Sequence, residues 1–172
     1  MITRDYLRSM ARYNRWQNEA VFAAASTLSD ADRRRDRGAF FGSIHGTLSH
    51  IYWADRIWLS RFDLCEPPDV PNPQSGQFVD DFDELVAKRG DLDTILIDFC
   101  DAYEAGPVKG KLEWYSGAIK ANAKAPLGVV FTHFFNHQTH HRGQVHAMLT
   151  AAGVSPKDTC LFLMPLELWP GN

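Results

Sequence analysis

Disulfides, membrane spans and basic charge are all scarce in this chain. The three cysteines, Cys65, Cys100 and Cys160, cannot all pair, lie far apart and form no CxxC. That excludes a disulfide framework and fits thiols kept reduced in the cytoplasm. No apolar stretch approaches the roughly 18 residues of a membrane span; residues 127–131 are among the longest. The N-terminal MITRDYLRSMARYNR carries charge throughout and lacks the apolar core of a secretory signal. Basic residues give no excess, 18 against 21 acidic, for a net charge of -3. A nucleic-acid face is usually strongly basic, so none is expected. The one dense basic run, Arg33, Arg34, Arg35 and Arg37, is broken by Asp36 and preceded by Asp30 and Asp32, and reads as a solvated connection. Repeats and low-complexity tracts are missing too.

What is present is ordinary globular composition, 45% hydrophobic and 23% charged over 172 residues. That length predicts a single domain over residues 1–172, able to bury about two-thirds of its unfolded surface. Four long helical patterns stand out. In the first, about residues 3–28, Leu7, Met10, Asn14, Gln17, Val21, Ala24 and Leu28 alternate spacings of three and four, one stripe of a bundle helix. Asn14 and Gln17 are read as the edge of that stripe; the alternative is that they face a polar cavity. The second covers about residues 41–62 and is apolar over so wide an arc that it is expected to be buried on more than one side. CEPPDVPNPQSG follows, four prolines in a long surface loop where nothing regular is expected. The third spans about residues 78–103, with Arg89 the one charge in its seam. KLEWYSGAIKANAK then suggests a short irregular hairpin around Ser116-Gly117. The fourth starts near Pro126 and stops at Gly153, a natural C-terminal cap. The fold class is therefore all-α. The tail, residues 155–172, is too apolar to hang free and is expected to pack on the bundle or on a partner chain.

Histidine is the unusual count: seven, five of them between His133 and His146. At about 100° per residue, and with His137 at zero, His141 falls at about 40°, inside the apolar arc of Val130, Phe134, Val145 and Met148. His133 and His140 lie on the flank and His146 on the far side. Two imidazoles four residues apart and aimed into a core are costly, because protonating either one buries a charge that repels the other. A divalent metal resolves the conflict, since neutral imidazole is a good ligand for zinc, nickel, iron or copper. A third ligand must come from another helix. His45, His50 and Asp55 are the candidates. His50 has small neighbours, Thr47 and Ala54, and His45 lies nearer the helix start, where an exposed histidine is unremarkable. The two are about 140° apart around the helix and should not serve one site. There is no HExxH, so a zincin-type protease is not indicated.

HGTLSHIYWADRIWLSRF on the second helix, THFFNHQTHHRGQVHAMLTAAG on the fourth and the N-terminal YNRWQNEAVF together resemble the DinB-like (DinB/YfiT) family of metal-dependent four-helix bundles. The resemblance covers nearly the whole chain. It implies an up-and-down four-helix bundle with long crossover loops, usually a homodimer, and a three-histidine metal site. Carried over by position, the ligands fall on His50, His137 and His141, while His133, His140 and His146 match none. Within Arg142-Gly143-Gln144, Gly143 is expected to let helices approach closely and Arg142 to form a structural ion pair.

A divalent ion on three neutral histidines keeps an open position, where water becomes hydroxide near neutral pH or a thiol is deprotonated. The expected function is thus a divalent-metal-binding protein (zinc, nickel or iron) acting on small molecules as a thiol S-transferase or hydrolase. The resemblance implies a low-molecular-weight thiol partner at least as strongly as hydrolysis. The alternative is a non-catalytic, stress-induced metal-binding protein. No distinct nucleophile or general base stands out: Cys100 reads as core, and Asp55 reads as the structural partner of Arg56 or Arg89.

Overall fold

The computed structural model describes residues 2–117 and 119–171. Among the described residues there are five α-helices, α1 (Arg4–Ser26), α2 (Asp30–Arg34), α3 (Ile44–Ser60), α4 (Phe82–Ala102) and α5 (Leu127–Ala151), and one largely exposed two-stranded hairpin, β1 (Lys111–Ser116) with β2 (Ala121–Pro126). The four long helices form a bundle, as expected, and the caps explain where they begin. Thr3, Ser43 and Asp81 accept backbone N–H groups from Tyr6, Gly46 and Glu84, satisfying donors that a helix start leaves free. Helix α5 ends at the expected glycine: Gly153 takes a φ of +82° and the Val154 N–H returns to the Leu149 carbonyl.

Cross-helix pairs fix the directions. Tyr6 meets Phe135 and Asn14 meets Arg142, so α1 and α5 run parallel. His50 meets His141 and Phe62 meets Phe131, so α3 opposes α5. Asp55 meets Arg89 and Phe62 meets Phe99, so α3 and α4 run parallel. Two parallel neighbours joined in sequence need a connection that travels back along the whole bundle. Residues 61–81 are that connection, the long crossover that the family resemblance implied.

This crossover is not the featureless surface loop read from its prolines. It contains a 3-10 turn, Asn72–Gln77, and it runs antiparallel along α3, tied at successive turns. Arg56 donates to the Glu66 carbonyl, Trp53 to that of Val70 and Ser49 to that of Ser75; the Val79 N–H donates to Ser49 Oγ. Backbone groups that would otherwise be orphaned are satisfied by α3 side chains. Gly46 and Gly76 make the close approach possible. A Cβ on Gly76 would sit 3.4 Å from the Gly46 oxygen and one on Gly46 3.6 Å from the Gly76 oxygen; Gly46 also admits the Phe41 carbonyl oxygen, which a Cβ would meet at 2.4 Å. Gly143, by contrast, has open space where a Cβ would go. It does not serve helix packing, contrary to expectation.

The core is apolar, with Leu7, Ile44, Leu85, Cys100 and Val145 fully buried. A polar layer crosses its middle. Asp93 accepts from Arg89, Asn14 and Asn18. Asp55 accepts from Arg89 at 2.6 Å and from Gln138 at 2.7 Å. Arg142 donates to the side-chain oxygens of Asn14 and Asn18. Two arginines and two aspartates thus neutralise one another out of water, with each charge also hydrogen-bonded. Asn14 and Gln17, read as edge positions, are 0% and 2% exposed. Asn14 belongs to this layer, and Gln17 donates to the Asp158 carbonyl and so holds down the tail. Arg142 contacts asparagines, where an ion pair was expected. The tail packs in part on its own bundle, through Met164, Gln17 and the Tyr13 hydroxyl donated to the Thr159 carbonyl.

Candidate metal centre

Three imidazoles meet where α3 crosses α5. His50 Nε2 lies 3.4 Å from His137 Nε2, which lies 3.1 Å from His141 Nε2. The candidate ligand atoms of all three fall within 4.8 Å of one another. The i,i+4 spacing on α5 supplies two of them, and the antiparallel crossing brings α3 to deliver the third. Metal–nitrogen bonds of about 2.0–2.1 Å in tetrahedral geometry put ligand nitrogens roughly 3.3 Å apart, close to the two separations at His137.

The outward nitrogens of two rings are also held. His50 Nδ1 lies 2.8 Å from Ser75 Oγ, on the crossover. His141 Nδ1 lies 2.8 Å from Gln144 Oε1. An amide oxygen can only accept, so His141 carries its proton on Nδ1 and turns the Nε2 lone pair toward the other rings. Such outer hydrogen bonds orient metal-binding histidines. Phe41 stacks on the face of His50, with ring centroids 3.7 Å apart, and shields it from water.

Electrostatics keep the cluster neutral. Burial, then the neighbouring His141 and His137, lower the His50 pKa to about 3. Burial, then His141, His133 and His140, lower that of His137 to about 4. Burial likewise lowers His141, against the opposing hydrogen bond to Gln144. Unprotonated imidazole is the form that coordinates, so a donor set of this kind suits a divalent transition metal.

The remaining candidates do not join the cluster. His45 is not the exposed residue its position suggested. It is 2% exposed, on the other side of α3, with Nε2 on the Val79 carbonyl oxygen at 2.9 Å. Asp55 belongs to the polar layer with Arg89. His140 is exposed and His146 half-buried. His133 stands one turn from His137 with its ring against Trp58. Ser75 and Gln144 were missed by sequence reasoning. Gln144, three residues from His141, had a spacing that would have found it; Ser75 had no local signal.

A cavity of about 700 Å³ opens onto His50 and His137. Its walls are largely aromatic and aliphatic, with Trp53, Ile57 and Trp58 from α3 and Trp114 from the hairpin. The hairpin runs Lys111–Pro126 in antiparallel register, more regular than expected, and packs Trp114 against Trp58 at 5.4 Å. Residue 118, between the two strands in sequence, lies outside the described residues. A second opening, of about 350 Å³, reaches all three histidines past Phe40, Phe41 and Gln144.

Comparison with known proteins gives one consistent result. Residues 1–165 match the sequence model of the DinB family. The chain is similar to the Protein DinB of Bacillus subtilis (strain 168), with 25% identity over 168 residues, 92% of this chain and 94% of that protein. In structure it is similar to a DinB-like protein from Bacillus cereus ATCC 10987, with a TM-score of 0.58 and 18% identity over 83% of this chain and 90% of that one. At that identity the structural likeness speaks for the fold.

Proposed function

The chain belongs to the DinB family, and on that premise we propose that it binds a divalent metal through His50, His137 and His141 and acts on small molecules there, as a thiol S-transferase or a hydrolase. The observation that carries this reading is the convergence of the three imidazoles, two of which, His50 and His137, line a substrate-sized cavity. Zinc, nickel and iron all suit imidazole donors. When bound, such an ion supplies Lewis acidity, lowering the pKa of a water or a thiol that reaches its open side. The protein's own part is to hold that side in place. Burial keeps the rings unprotonated, Ser75 and Gln144 fix the outward Nδ1 atoms, Phe41 covers one face of His50, and the tryptophans wall the cavity beside it.

The cavity favours turnover over metal binding alone, because a non-catalytic stress-induced protein needs ligands but no substrate-sized space beside them. The partners in this reading are a small electrophile and a low-molecular-weight thiol. The protein works in the cytoplasm as a homodimer, without nucleic acid. The exposed Phe162 and Leu163 of the tail support association with a second copy. No helix among the described residues is long and apolar enough to cross a membrane.

The experiment is turnover by metal-loaded protein. An aryl halide is offered with a panel of small thiols, and p-nitrophenyl esters are offered with water alone. Turnover is expected with loaded wild type and not with His137→Ala. No turnover of any pair at full metal occupancy would leave the non-catalytic reading. The same preparation is expected to show no salt-sensitive DNA affinity.

A further inference from the structure

Arg61, the C-cap of α3, differs from every other arginine in the chain. Each of the others has a side-chain or backbone oxygen within 4 Å. Among the described residues the Arg61 side chain makes no hydrogen bond or ion pair, and its guanidinium packs against aromatic rings. Its guanidinium carbon lies 4.1 Å from the centroid of Trp58 and 5.2 Å from that of Trp114. The side chain lines the cavity described above, and no aspartate or glutamate lines it with Arg61. In a chain of net charge -3, the walls of this cavity thus carry one fixed charge, a positive one. Burial lowers the Arg61 pKa to about 10, which leaves it charged at neutral pH.

A half-buried guanidinium with unused N–H donors is already partly stripped of water and lacks a counter-ion. The two tryptophans pack against it, and its planar fork can make two parallel hydrogen bonds to a carboxylate. One guanidinium without a lysine or a second arginine matches a single negative charge better than a phosphate dianion. His50 and His137 line the same space. From Trp58, ring contacts pass to His133 at 5.2 Å and on to His137 at 5.7 Å. A ligand anchored at Arg61 would therefore lay its body along the aromatic wall and present its far end to His137.

We propose that the cavity takes a small monocarboxylate with an apolar body, its carboxylate held by Arg61 and its opposite end directed at the histidine cluster. This rests on the cavity being the substrate site of the proposed function. It adds what that site selects: anionic over neutral molecules of the same shape.

The inference is tested by binding, without turnover. Phenylacetate, 3-phenylpropionate and 4-phenylbutyrate are each titrated beside the matching primary amide, and the quenching of tryptophan fluorescence is followed. Wild type is expected to prefer at least one carboxylate over its amide by about ten- to a hundredfold, the range of a hydrogen-bonded charge. Arg61→Met and Arg61→Gln, both with unchanged melting temperature, should lose that preference. Chelator-treated wild type should keep it. Overturning results are equal binding of every carboxylate and its amide, or no binding of either. So is a preference that survives in both Arg61 variants but disappears with the metal, which would place the anion on the histidine site. Elemental analysis of the same samples reads the metal proposal separately, so either proposal can fail without the other.

Discussion

Ser75 Oγ lies 2.8 Å from His50 Nδ1, although the two residues belong to different segments, the returning crossover and the α3 helix. The serine is fully buried, and its carbonyl is bonded in turn by Ser49 Oγ. The crossover thus links α3 to α4 and also orients a ring of the candidate metal centre. Replacing Ser75 by alanine should leave the fold intact and weaken metal affinity by about 10- to 100-fold, the usual cost of losing such a hydrogen bond. Competition with a chromogenic chelator measures it, and an unchanged affinity would deny the serine this role.

Metal content should follow the geometry of α5. His137→Ala, which removes the ring between the other two, should bring bound metal close to zero by elemental analysis. His133→Ala and His146→Ala should retain it, since neither imidazole joins the cluster. Equal content in all three variants would refute the ligand set.

The polar layer makes a stability prediction. In Arg89→Met, the buried carboxylates of Asp55 and Asp93 lose the cation that bridges them at 2.6 and 2.8 Å. Stranding a buried charge in this way costs about 3–5 kcal/mol. Urea denaturation should show a loss of that size, well above the loss for an exposed pair such as Arg15–Glu19.

A pH effect is expected at the outer face of α4. Hydrogen bonds from Arg12, then Arg8, hold the Asp101 carboxyl down at about 2. A carboxylate depressed in the folded state contributes stability above its unfolded pKa of about 4. That contribution fades as pH falls from there through about 2. Because the side chain is 37% exposed, solvent screening limits it to under about 1 kcal/mol. Asp101→Asn should therefore be slightly less stable than wild type at pH 7, with the gap closing on acidification. A gap that widened in acid would contradict the assignment.

The thiols should react in order of burial. Cys160 is exposed, Cys65 half-buried and Cys100 fully buried, its pKa pushed up to about 12 mainly by burial. A thiol reagent should label Cys160 first, Cys65 more slowly and Cys100 only after unfolding. Early labelling of Cys100 would contradict its place in the core.

Local periodicity carried far into this protein. A spacing of three and four fixes which residues share a helix face, so the bundle helices, the inward pair His137 and His141, and the burial of Cys100 could all be read along the chain. His50 was harder. Its own helix did not distinguish it clearly from His45, and the family resemblance chose it. The physical choice is made by the antiparallel crossing of α3 with α5, which turns His50 toward the cluster and His45 toward Val79. The same holds for Asn14, an oddity in an apolar stripe until α4 and α5 bring Asp93 and Arg142 against it. Ser75 and Arg61 had no local pattern at all. A serine among prolines becomes an imidazole's partner, and an arginine at a helix end becomes a lone charge in a cavity, only when distant segments pack beside them. Helix faces follow from the repeat of one segment's backbone, whereas hydrogen-bond partners and cavity walls are set by packing between segments far apart in the chain.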